Sequence, residues 1–162
     1  IAYDIKASDV RVLQFAAKST RAYDQIDAFV PQLLKAVRSY HSHTPLPTSL
    51  SSKINIFCQR LGIVKLNNVK LQAKLFALLS VANFLIGNME SYQVFRERFA
   101  NLRHSVSNSW TEALILLLFS TTETDINLFK EGFGLIDTLE ASSKFQKQLV
   151  EEYSYYRQFL PS

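Results

Sequence analysis

The chain has 162 residues, of which 48% are hydrophobic and 20% charged, and its formal net charge is +4. This length and balance exclude an intrinsically disordered chain and fit a single folded domain over residues 1–162. With only 4 glycines and 4 prolines, the sequence is too poor in turn residues for an all-β domain and favours long helices.

The single cysteine and the apolar stretches limit where the protein is expected to work. Cys58 has no partner for an intrachain disulfide, which favours a reducing compartment, so we expect a cytoplasmic location. The longest apolar stretches, 75–86 and 113–119, are too short or too interrupted to cross a bilayer, and no membrane partner is predicted. Because the chain begins at Ile1 and shows no signal segment, we interpret it as a piece of a longer protein.

The N-terminal part carries two stretches of helical periodicity. A first helix is predicted to begin at Ser8 or Asp9, either of which can cap it, and a second apolar stripe covers 23–37. Pro31 lies inside the second stripe, and a proline in a helix interior removes one hydrogen bond. We therefore expect a break or a bend near Phe29.

A Thr-Pro-Leu-Pro-Thr segment at 44–48 is the clearest break, and it separates an N-terminal helical arm from the rest. Beyond it the helical patterns group into three hairpins, 48–87, 88–121 and 124–160. Each hairpin has the size of a HEAT or TPR unit, which buries its apolar face by stacking on the next unit. We predict an all-α fold of stacked antiparallel helical hairpins, a right-handed HEAT/TPR-like arm, with at least seven helices and no sheet. The alternative is a compact helical bundle.

Helix ends are marked by capping residues and glycines. Helix starts are expected at Thr48 or Ser49, Asn67 or Asn68, Asn88, Ser109, Thr124 or Asp125, and Ser143, and helix stops at Gly62 and Gly87. The pairs Ser109/Glu112 and Ser143/Gln146 have the spacing of capping boxes.

The helix predicted between Asn68 and Gly87 is apolar almost all round, which is typical of a helix buried between neighbours. Its residues Leu75, Phe76, Leu79 and Ala82 are therefore predicted to be almost fully buried.

No arrangement of residues points to catalysis, a cofactor or a small-molecule substrate, and we predict that the chain is not an enzyme. His41 and His43 have no third metal ligand nearby in the sequence, so an exposed loop is the preferred interpretation. Cys58 lies on an apolar helix stripe and is predicted to be a structural thiol. Gly132 and Gly134 lie inside a helical pattern rather than after a strand, so we expect them to admit a neighbouring helix, not a phosphate.

Charge is distributed unevenly along the chain. No acidic residue occurs between Ala28 and Met89, whereas 112–152 is rich in Asp and Glu. The basic stretch holds Lys35, Arg38, Lys53, Arg60, Lys65, Lys70 and Lys74. This asymmetry indicates a polyanion or an acidic partner, with an ordinary solvated surface as the alternative.

Five of these residues are expected to share one edge of the hairpins. Arg60 and Lys65 flank the turn at Gly62, and Lys70 follows one helical turn later. Lys53 and Lys74 lie farther along the same two helices and complete the predicted basic rim: Lys53, Arg60, Lys65, Lys70 and Lys74. The rim is a candidate contact for a protein or RNA partner.

A second candidate contact is aromatic. The last helix contains Tyr153, Tyr155, Tyr156 and Phe159, more aromatic residues than one buried stripe requires. Tyr155 should point away from the stripe formed by Tyr153 and Tyr156, and interfaces favour tyrosine. We interpret Tyr155 as a candidate docking residue; the alternative is a capping helix with one exposed tyrosine.

The segment 49–83, SLSSKINIFCQRLGIVKLNNVKLQAKLFALLSVAN, resembles the helical-repeat region of PCI-domain proteins. The likeness lies in a helix of the form S-L-x-x-K/R-I/L-x-I/L, a short loop, and the Asn-Val-Lys triplet at 68–70 that opens a long helix. A weaker likeness continues through 113–118 and 125–160. It implies a right-handed helical arm followed by a winged-helix module, whose strands are not present in this sequence.

Two functions follow from these observations. The resemblance implies a non-catalytic scaffold subunit that joins other protein subunits in a large assembly such as eukaryotic translation initiation factor 3, the proteasome lid or the COP9 signalosome. The charge distribution supports an alternative, an RNA-binding helical protein that contacts ribosomal or other RNA through its basic region 35–74.

Overall fold

The computed structural model describes the backbone of residues 5–161 and the side chains of residues 22–161. This part of the chain contains seven α-helices, a short 3-10 helix and no strand, so the prediction of an all-α fold is confirmed for it. The helices are α1 (Ile5–His41), α2 (Thr48–Leu61), α3 (Val69–Leu85), α4 (Met89–Leu102), α5 (Trp110–Thr122), α6 (Ile126–Thr138) and α7 (Lys144–Arg157), with the 3-10 helix at Arg103–Val106.

Helix α1 is continuous, contrary to the sequence prediction. It is already helical at Ile5, ahead of the predicted start, and it runs through Pro31 without a break. Proline has no N–H, so the Asp27 carbonyl lacks its usual hydrogen-bond partner within α1. Pro31 and Asp27 are both exposed, so water can replace the missing hydrogen bond. Phe29 and Leu33 are buried on the opposite side, and this packing holds the helix together across the proline.

Helices α3 and α5 form the centre of the core. Every residue from Glu112 to Thr122 in α5 is buried, and α3 is buried along most of its length. Helices α1, α3 and α5 all pack against one another, while α2, α4, α6 and α7 lie around them. In an open solenoid each unit contacts only its neighbours in sequence. The contact of α1 with α5 goes beyond this pattern, and the packing as a whole is consistent with both forms that the sequence left open, stacked hairpins and a compact bundle.

The two helices of each predicted hairpin are in contact, but they are not the most closely packed pairs. Helix α2 packs on α3 as expected, but the closest neighbours are α3 with α4 and α5 with α6. Gly87 takes a left-handed φ of 84°, and the Asn88 side chain accepts the Ser91 N–H at the start of α4. This sharp turn folds α4 directly back along α3. Helices α4 and α5 also meet through side chains, with the Phe99 ring against Phe119, and α7 meets α6 through aromatic side chains.

Most of the predicted helix starts are confirmed. The side chains of Asn68, Asn88, Ser109, Asp125 and Ser143 each accept a backbone N–H in the first turn of the following helix. Helix α2 does begin at Thr48, but it follows Pro47 and has no side-chain cap, so the predicted capping role of Thr48 or Ser49 is wrong.

The other predicted signals for helix ends are partly confirmed. The capping box of Ser143 and Gln146 is complete. In the Ser109 pair the Glu112 carboxylate accepts instead from the Asn108 N–H and from Arg103. Gly62 does follow the last residue of α2, but with a right-handed φ of −63° rather than a left-handed one.

Three of the four predicted core residues of α3 are fully buried: Leu75, Leu79 and Ala82. Phe76 is only half-buried, so its prediction is wrong. Its ring lies at the edge between α3 and α4, near the Phe95 ring and below the guanidinium group of Arg98. We therefore expect Phe76→Ala to cost less than the 3–5 kcal/mol that is usual for a fully buried phenylalanine.

Gly132 and Gly134 offer a matched test of the packing between α6 and α7. A Cβ atom at Gly132 would lie 2.2 Å from the Tyr153 hydroxyl oxygen, whereas one at Gly134 would meet nothing within 4 Å. The Tyr153 ring cannot move freely, because it is buried and its hydroxyl donates to the Ala113 carbonyl. The close approach predicted at both glycines is thus confirmed only at Gly132.

We expect Gly132→Ala to lower the free energy of unfolding by about 1–3 kcal/mol, the usual range for overpacking. Gly134→Ala should raise it by up to about 1 kcal/mol, because alanine is the better helix former. Urea titration followed by circular dichroism measures both values. Equal stabilisation by the two substitutions would contradict the close packing at Gly132.

Candidate functional site

The surface that we call the α2–α3 rim combines positive charge with exposed aliphatic side chains. It comprises the exposed residues Lys53, Ile56, Arg60, Ile63, Lys65, Val69 and Lys70. The first three are three and four residues apart on α2, so they lie along one face of that helix. The neighbouring face packs into the core, where the Phe57 ring stacks on Phe29 with 3.7 Å between ring centres. This packing fixes which side of α2 faces outward.

The loop between α2 and α3 is held firmly against the bundle. The Leu66 N–H donates to Gln72 Oε1 over 2.6 Å, and the Leu66 side chain is buried. The Gly62 N–H donates to the Cys58 carbonyl at the end of α2. These contacts leave Ile63 protruding, with 87% of its surface exposed.

The structure divides the predicted basic rim into two groups. Lys53, Arg60, Lys65 and Lys70 are exposed, and none forms an ion pair with a described residue. Lys74 lies deeper, with its Nζ 3.3 Å from Asp27 Oδ1 on α1, so it belongs to the packing of α1 against α3.

Sequence reasoning missed the aliphatic members of the rim. Ile56 and Val69 are 45% and 47% exposed, and Ile63 is more exposed still. A signal for them was present, because Ile56 lies off the buried stripe of its helix and Ile63 directly follows Gly62. Large exposed aliphatic side chains grouped with cations are a feature of binding surfaces.

Part of the acidic segment pairs with arginines outside the rim. Glu152 pairs with Arg38 over 3.0 Å, and Glu123 pairs with Arg96 over 2.8 Å. Arg103 reaches both Glu112 and Glu131. These four carboxylates thus neutralise arginines elsewhere in the molecule, and none of them pairs with a cation of the α2–α3 rim.

Tyr155 is half-buried and forms part of the contact between α1 and α7. The guanidinium carbon of Arg38 lies 3.7 Å from the centre of its ring, and Arg38 Nη2 also donates to Glu152. The neighbouring Tyr153 and Tyr156 are buried, as the stripe predicts. Arg38 covers one face of the Tyr155 ring, so only the rest of the ring is open to a partner. A docking role for Tyr155 stays a prediction.

The described residues 22–161 contain no group of three His, Cys, Asp or Glu side chains that could hold a metal ion. His41 packs against the rings of Tyr156 and Phe159, and desolvation together with His43 lowers its pKa. In the same part of the chain no helix is both long and apolar enough to cross a bilayer.

Comparison of the chain with protein-family models, curated proteins and solved structures finds no match in any of the three. The resemblance to PCI-domain proteins therefore stays a prediction from the sequence.

The Cys58 thiol is expected to react slowly in the folded protein. Burial raises its pKa to about 11, so roughly one thiol in a thousand is ionised at pH 8. We expect alkylation by iodoacetamide at pH 8 to be on the order of a hundredfold slower than in the urea-unfolded chain. The native rate should rise as the pH approaches 11, and equal native and unfolded rates would contradict a structural role.

A double-mutant cycle tests whether the contact between Arg38 and Tyr155 stabilises the fold. Arg38→Ala and Tyr155→Ala should each lower the free energy of unfolding, and their coupling energy should be about 0.5–2 kcal/mol because the cation lies over the ring. Urea unfolding of the wild type, both single variants and the double variant gives this value. If the two single effects on the free energy of unfolding simply add in the double variant, the contact between Arg38 and Tyr155 does not stabilise the fold.

Proposed function

We propose that this chain is a non-catalytic scaffold module that binds another protein subunit in a large assembly through the α2–α3 rim. The observation that carries the proposal is the combination, around one firmly held loop, of four cations that pair with no residue of 22–161 and the exposed Ile56, Ile63 and Val69. Apolar side chains held outward on a rigid surface lose little entropy when a partner covers them. The positive charge around them favours an acidic partner.

The resemblance to PCI-domain proteins supports the same class of function. It is carried by residues 49–83, the region that forms α2, the loop and most of α3. Among members of that family, the segment is most similar to the m subunit of eukaryotic translation initiation factor 3. We therefore propose that factor as the assembly, with other protein subunits as partners and the cytoplasm as the location.

RNA binding through the basic region remains the second candidate, and the four exposed cations of the rim favour it. Proteins that bind single-stranded RNA without sequence preference usually add aromatic side chains on which bases stack. The exposed apolar residues of the rim are Ile56, Ile63 and Val69, and aliphatic side chains offer no such platform. The composition of the rim thus favours a protein partner over RNA.

Replacing Arg60, Lys65 and Lys70 together by alanine tests the proposal. We expect the tagged triple variant to be recovered with the assembly much less than the wild type when it is purified from its own cells at ordinary salt. Its stability should change little, because an exposed charge usually contributes less than about 0.5 kcal/mol. The readouts are quantitative mass spectrometry of the co-purified subunits and urea unfolding of the free chain.

A matched control removes three exposed lysines from α6 and α7: Lys130, Lys144 and Lys147. This variant loses the same charge and should assemble like the wild type. If both triple variants assemble normally, the rim is an ordinary solvated surface. If the purified wild-type chain retains RNA in a salt-dependent way and the rim variant does not, RNA binding replaces the scaffold function.

A further inference from the structure

We infer that the α2–α3 rim binds an acidic amphipathic helix of the partner protein, laid along α2 and anchored on Ile63. This inference rests on the proposed scaffold function and adds the chemical class of the segment that docks. It follows from the spacing of the aliphatic residues, the arrangement of the charges and the rigidity of the loop.

The aliphatic spacing matches that of a helix. Ile56 and Ile63 are seven residues apart, and Gly62 between them keeps right-handed helical dihedral angles. Their Cα atoms are therefore about 10 Å apart along the direction of α2, as for two turns of a helix. A partner helix that lies beside α2 presents its own apolar residues at i and i+7 with the same separation. Val69, the first residue of α3, is a further exposed aliphatic side chain at the other end of the loop.

The charges define the polar part of the partner. Lys53 and Arg60 are also seven residues apart and lie on the same exposed face of α2 as Ile56. Lys65 and Lys70 extend the positive charge around Ile63, and the chain has no acidic residue from Ala28 to Met89. A helix that carries Glu or Asp beside its apolar residues would meet cations along its whole length, which favours it over neutral or basic helices.

The loop is preorganised for such a contact. Gln72 holds the Leu66 N–H, and the buried Leu66 side chain ties the loop to the core. Ile63 therefore keeps its outward position before the partner arrives, and the entropic cost of ordering it on binding is small.

Two other anionic partners fit the rim less well. Proteins that bind single-stranded nucleic acid usually add stacking on aromatic rings to their phosphate contacts, and amphipathic surfaces that enter membranes commonly carry Trp or Phe. None of the exposed residues that define the rim is aromatic. A helix of a partner protein can be bound through aliphatic side chains and opposite charge alone, and the rim supplies both.

Photo-crosslinking identifies the segment that docks. The full chain carries benzoylphenylalanine in place of Ile63, or in place of Ile126 on α6 as a matched exposed control. It is expressed in its own cells, irradiated and purified. We expect the Ile63 position to crosslink to one segment that has helical periodicity and is rich in Glu or Asp, and the Ile126 position not to crosslink to that segment.

The crosslinked segment is then synthesised as a peptide, and its affinity for the purified chain is measured by fluorescence anisotropy. Ile63→Ser should weaken binding about tenfold, whereas Ile126→Ser should have no effect. The alanine variant of Arg60, Lys65 and Lys70 should weaken binding by at least about tenfold and flatten its dependence on salt. The alanine variant of Lys130, Lys144 and Lys147 should match the wild type.

The possible failures are distinguishable. A crosslink to RNA, binding to phosphatidylserine vesicles instead of the peptide, or a docked segment without acidic residues would overturn this inference. So would an unchanged affinity of the Ile63→Ser variant. A docked segment without acidic residues, or an unchanged affinity of the Ile63→Ser variant, leaves the scaffold proposal intact if the chain still co-purifies with its assembly, whereas a rim that binds RNA or vesicles overturns both. Failure of the chain to join any assembly would refute the scaffold proposal itself.

Discussion

The fold depends on the mutual packing of three helices, α1, α3 and α5. Helices α3 and α5 are apolar on almost every side, so neither can lie at a surface, and each must be enclosed by other helices. Helix α1 completes the enclosure by contacting both of them. The positions of the outer helices follow from this centre, and the orientation of α2 in turn presents Ile56 and Arg60 to the solvent.

Local signals in the sequence predicted the helices well, and long-range contacts explain where the predictions failed. Asn68 and Ser143 cap their helices through bonds within three residues, so their roles are visible in the sequence. Pro31 breaks no helix because its neighbours are packed against distant residues. The turn at Gly87 and Asn88 brings α4 onto α3, a pairing that periodicity alone does not distinguish from the predicted one.

The candidate site, like the fold, was predicted where the signal is local and missed where it depends on distant contacts. The run of cations was evident, and four of the five predicted residues are exposed. Lys74 and Tyr155 are engaged by Asp27 and Arg38, which lie 47 and 117 positions away in the chain, so no local pattern reveals these contacts. Ile63 lies outside the predicted apolar stripes, directly after the helix stop at Gly62, and the loop geometry shows how far it protrudes.

The position of α1 also has a consequence for how the protein is made. Helix α1 packs against α5, and its end is tied to α7 by the pair of Arg38 and Glu152. A ribosome releases α1 well before either partner, so its apolar face has no complete binding site until almost all of the described chain has emerged. Contacts between the two ends of a chain slow folding and leave apolar surface open for longer. The fold thus closes late, because the apolar face of α1 is fully covered only after α5 and α7 have been made.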